Sequence, residues 1–81
     1  MEGLTEGRIV HYVLADGGSM GEHRPAIVVK VWSKESGTSN LTVFTDWSND
    51  GQHNENGIRW TTSVQYSEGK EPGTWHWIEK A

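Results

Sequence analysis

Residues 58–66, IRWTTSVQY, decide the fold. Ile58, Trp60, Thr62, Val64 and Tyr66 fall on one side of an extended chain, with Arg59, Thr61, Ser63 and Gln65 on the other. Period-two alternation in a stretch rich in β-branched and aromatic residues marks a strand with one face buried. No i, i+3, i+4 apolar stripe of useful length competes with it anywhere in the chain. Toward the C-terminus, a polar loop over 67–73 with Pro72-Gly73 leads to a segment at 74–78, where Trp75 and Trp77 share a side. In the other direction, WSNDGQHNENG at 47–57 carries the turn signal Asn49-Asp50-Gly51. Before it, Leu41 and Val43 face one way in segment 41–46, and Thr42 and Phe44 the other. KESGTSN at 34–40 reads as a hairpin loop behind segment 25–32, in which Ile27, Val29 and Val31 form one apolar face and Pro25 takes the first position. The first segment, RIVHYVLAD at 8–16, sets Val10, Tyr12 and Leu14 against Ile9, His11 and Val13, and Gly17-Gly18-Ser19 breaks it.

Five short strands separated by turns predict an all-β domain, a small SH3-like barrel of about five antiparallel strands. Closure into a barrel also removes exposed edges. Eighty-one residues make a single domain, 1–81. Such a chain hides only about 60–65% of its unfolded surface, so its core needs large side chains. Five Trp, two Tyr and one Phe supply them. Five indoles exceed what so small a core encloses. Trp60 and one of Trp75 and Trp77 are expected inside, and Trp47 with another Trp is expected to form a surface platform for stacking or protein contact. Residues 1–5 are expected to be loosely held.

The chain has no cysteine, which excludes disulfides and thiolate metal sites and fits a reducing cytoplasm. No apolar run is long enough to span a membrane, and no signal-peptide pattern opens the chain. The formal net charge is −4, with seven scattered basic residues, so the positive footprint of a duplex-DNA binder is missing.

His23 and Arg24, at the mouth of the second strand, are candidate ligand-binding residues. Arg24 would hold an anion and His23 would exchange a proton, although an Arg stem covering apolar surface explains the pair as well. Together with Trp47, Trp60, Trp75 and Trp77 they make up the expected binding set. His11, His23, His53 and His76 stand at no recognised metal spacing, and no metal or other cofactor is expected; ligation from distant strands is the minor alternative. Asp46, Asn49, Asp50, Glu55 and Asn56 lack the EF-hand spacing and read as turn formers.

GRIVHYV followed by GEHRPAIVV, residues 7–31, resembles the opening of MazF/PemK-type toxin endoribonucleases. That resemblance implies a small SH3-like barrel that commonly dimerises, and it places Arg24 where the family has an active-site Arg. The wider pattern, HYV…GEHRPAIVVKVW…LTVFTDWSNDG…WTTSVQYSE…PGTWHW, is similar to small proteins of tailed phages and prophages. It implies a viral origin and the cytoplasm of a bacterial host. The expected function is that of a non-catalytic phage accessory protein that binds a host protein or a small ligand such as a nucleotide. The alternatives are a MazF-like endoribonuclease and a structural virion or oligomerisation module. The partners expected are therefore a host protein or small ligand and a second copy of the chain, with neither duplex DNA nor a membrane.

Overall fold

The computed structural model describes residues 1–50 and 56–79. Five strands, β1 (Ile9–Val13), β2 (His23–Val31), β3 (Ser39–Phe44), β4 (Ile58–Tyr66) and β5 (Thr74–His76), close into a barrel in chain order, β5 returning to pair with β1. The all-β expectation holds, and the arrangement is consistent with an SH3-like barrel. One pairing departs from the expected all-antiparallel sheet: β4 and β5 run parallel, with Gln65 opposite Thr74 and Tyr66 opposite Trp75. The connection over 67–73 carries the chain back, so the short β5 enters between β4 and β1. A single 3-10 turn, Trp47–Asp50, follows β3.

The core joins inward residues of every strand. Val10, Tyr12, Ala26, Val28, Leu41, Val43, Val64 and Trp75 are buried together, with Leu14 and Leu4. Leu4 corrects the expectation of a loose N-terminus. The Met1 amino group donates to Lys34 O at 2.7 Å, Arg8 Nε donates to Gly3 O at 2.7 Å, and Gly7 N donates to Val28 O, so the leading residues seal one barrel end.

The alternation of β4 does not run through the whole strand. Opposite β3 the register jumps, Ser39 pairing with Val64 but Leu41 with Thr61, and Ser63 takes a φ of +53°. This bulge reverses the faces. Val64 points inward, whereas Trp60, two turns of the pleat earlier on the same nominal face, is 62% exposed. A second register shift lies between Val28 and Lys30 of β2. Both flank Asn40, whose buried Oδ1 accepts from Trp32 Nε1, Thr62 Oγ1 and Ser63 N, each at 2.8 Å.

β2 starts at His23, two residues before the expected Pro25. Val28 N donates to Arg8 O, so alternation turns the Pro25 nitrogen away from β1, to a side where β3 pairing begins only at Ala26. The missing N–H therefore interrupts no ladder bond.

Candidate functional site

Two surfaces of the barrel collect the residue types that carry binding. The first is the outer face of β1–β4. Ile9 pairs with Ile27, Ile27 with Thr42, and Thr42 with Trp60, so these four side chains form one cross-strand row. Directly paired residues share a face and pack on one another. One step along, Phe44 pairs with Ile58 and extends the row into a patch. Ile9 and Trp60 are more than half exposed, and Phe44, Ile58 and Val29 also face solvent.

The second surface is polar and lies where β1, β2 and β5 meet. His11 is the direct partner of His76 across the β1–β5 pairing. On its other side His11 pairs with Pro25, which places His23, two residues earlier, on the diagonal. The three imidazole centroids lie 4.6–6.0 Å apart. Glu79, just beyond β5, sets Oε1 3.2 Å from His11 Nδ1, 2.9 Å from His23 Nδ1 and 2.7 Å from His76 Nε2. Its other oxygen accepts from Lys70 Nζ at 2.8 Å. The Lys70 ammonium, then the imidazoles, hold the Glu79 carboxyl well below the usual carboxylate range. Burial pushes the His76 imidazole down, against the opposing pull of Glu79. The Nδ1 of His76 is buried with no protein hydrogen-bond partner among the described residues.

The six expected binding residues separate in this framework. His23 belongs to the imidazole cluster. Arg24 does not offer a free guanidinium: Nε and Nη2 donate to the Asp50 carboxylate at 2.6 and 2.7 Å, Nη2 also to Glu22 at 3.1 Å, and Nη1 to His23 O at 3.0 Å. Asp50 is fully buried at its side chain and accepts from Asp46 N as well. The pair ties the 3-10 turn to the start of β2. Trp75 meets the expectation that one of the last two indoles packs inside, and is corrected as a binding residue: it lies in the core at 0% exposure, with its Nε1 donating to Gly37 O at 2.8 Å. Trp77 is half-buried and meets Trp75 edge-on. Trp60 and Trp47 are exposed, so Trp60 is corrected from core to outer face. Trp47 opens the 3-10 turn at a φ of +36°, an uncommon conformation for a bulky residue.

The sequence reading missed that His11 and His76 meet. They are 65 positions apart, and only the β1–β5 register joins them. The available signal was the alternation itself, which puts His11 on the face opposite Val10 and Tyr12. His53 and Glu55 lie outside the described residues. Among the described residues no helix is long and apolar enough to cross a membrane.

Fold and site together define a small all-β barrel with one apolar outer face and one histidine-rich junction. Comparison with protein-family models, with curated proteins and with solved structures gives no match.

Proposed function

We propose that this chain is a non-catalytic binding module of the phage accessory type, and that it docks a host protein through the outer face of β1–β4. The carrying observation is the Ile9–Ile27–Thr42–Trp60 row with the adjacent Phe44–Ile58 pair. Contiguous exposed apolar surface of this kind marks contact sites, and Trp is enriched among binding hot spots. The patch is largely aliphatic, which suits a protein surface better than a nucleobase. Nucleotide binding and phosphate chemistry both want a free cation, and the Arg24 guanidinium is already occupied by Asp50 and Glu22. The phage association and the host cytoplasm rest on the sequence resemblance alone.

The partner is a protein with a net basic surface. With a net charge of −4, two copies of this chain bring like charge together, whereas a basic partner is attracted. The test is to capture the partner from host lysate, purify it and titrate it against wild type, Trp60→Ala and Phe44→Ser. Trp60→Ala is expected to weaken binding by at least about 30-fold, the equivalent of a 2 kcal/mol hot spot. Equal affinity of wild type and both variants overturns the proposal. So does sedimentation showing that the same substitutions only dissociate a homodimer.

A further inference from the structure

We propose that His11, His23, His76 and Glu79 form a four-coordinate site for a divalent transition-metal ion of the zinc type, clamping the C-terminal segment onto β1 and β2. The donor set is three imidazole nitrogens and one carboxylate oxygen, and all four atoms lie within 4.8 Å of one another. Hard cations such as Ca²⁺ and Mg²⁺ take oxygen ligands, whereas imidazole suits zinc, copper, nickel and iron.

The dimensions fit. Zinc bonds of 2.0–2.2 Å in a tetrahedron set ligand-to-ligand edges of about 3.4 Å. The three nitrogen-to-oxygen distances are 3.2, 2.9 and 2.7 Å, so those edges open by only about 0.2–0.7 Å to reach that value. No nitrogen-to-nitrogen edge exceeds 4.8 Å, and contraction to the tetrahedral edge takes at most about 1.4 Å shared between two side chains. One carboxylate oxygen now sits at the point on which three imidazoles converge. An ion placed there pushes that oxygen outward and takes over the three nitrogens.

The scaffold favours the same reading. His11, His23 and His76 are set by strand register, as a direct pair and a diagonal, so three of the four ligands are positioned by the sheet before any ion arrives. Glu79 alone lies off the strands. Lys70, through its bond to Glu79 Oε2, orients the carboxylate as an outer-shell partner. Four protein ligands leave no open position, the mark of a structural rather than a catalytic zinc site. β5 is three residues long and closes the barrel, so an ion bridging β1, β2, β5 and Glu79 reinforces that closure.

The test is calorimetric titration of the full chain with Zn²⁺, paired with the visible absorption of the Co²⁺ form. Wild type is expected to bind one ion per chain, to give a four-coordinate Co²⁺ spectrum and to melt at higher temperature with Zn²⁺. The His11→Asn/His23→Asn double variant is expected to lose more than the ~10–100-fold that removal of an outer-shell partner costs. Glu79→Gln, on the exposed tail, serves as the second variant, and the metal-free melting curve of each establishes that it folds. His53→Asn is expected to bind as wild type. If wild type and the folded variants titrate alike, or if His53→Asn abolishes binding, the site is not the one proposed.

Discussion

His76 Nε2 lies 2.7 Å from Glu79 Oε1, three residues along the chain, and that contact turns the C-terminal segment back onto the sheet. The same carboxylate reaches His11 on β1 and His23 on β2, so one exposed side chain links three strands. Replacing Glu79 by Ala is therefore expected to loosen β5 before the rest of the barrel. Amide exchange at Thr74–His76 should quicken, while exchange in β3 stays at the wild-type rate. Uniform change across the sheet would show that Glu79 does not act on β5 in particular.

The partly buried Arg24–Asp50 pair makes stability acid-sensitive. The Arg24 hydrogen bonds pull the Asp50 carboxyl from 3.8 down to about 2. A carboxyl depressed in the folded state contributes stability above its unfolded value, and loses it as pH falls through the folded one. The contribution, about 2 kcal/mol, should be present at pH 5 and disappear between about pH 4 and pH 2. Denaturant titrations of wild type and Asp50→Asn across that window check it: the variant should be less stable at pH 5, and the gap should close toward pH 2.

Gly37 has a φ of +85°, and a Cβ there would lie 2.8 Å from Tyr66 Cβ and 3.2 Å from Trp75 Cζ2. Its carbonyl accepts the Trp75 indole bond. Gly37→Ala combines left-handed strain with overpacking, and should cost more than about 2 kcal/mol in chemical denaturation. Gly7, also at positive φ but with open space around its Cβ position, should tolerate Ala better.

Asn40 Oδ1 serves three donors at the two bulges. Asn40→Leu removes all three bonds, an expected loss of about 2–3 kcal/mol at roughly 1 kcal/mol each. Asn40→Asp keeps the acceptor and should retain most of the stability. Comparable losses in both variants would assign the cost to burial rather than to the bonds.

The strands were legible because alternation is local. Val10, Tyr12, Leu41 and Val43 point inward as their spacing predicts. Trp60 was misplaced because the bulge at Ser63 is not written in β4. It is held by a bond from a different strand, through Asn40. Arg24 was recognised as a special position at the start of β2, but its partner Asp50 read only as a turn residue. The imidazole cluster was invisible for the same reason: local spacing carries no record of which strands become neighbours. The antiparallel pairing of β5 with β1 joins His76 to His11, and it follows from the closure of the whole barrel.

The docking claim is tested most directly by methyl NMR of the isotope-labelled chain titrated with the purified partner. The methyl signals of Ile9, Val29 and Ile58 should shift or broaden, while those of Ala26, Val28 and Val43 in the core hold their positions. Changes confined to residues around His23 and Glu79, or to the turn at Trp47, with the outer-face methyls unmoved, would contradict the account.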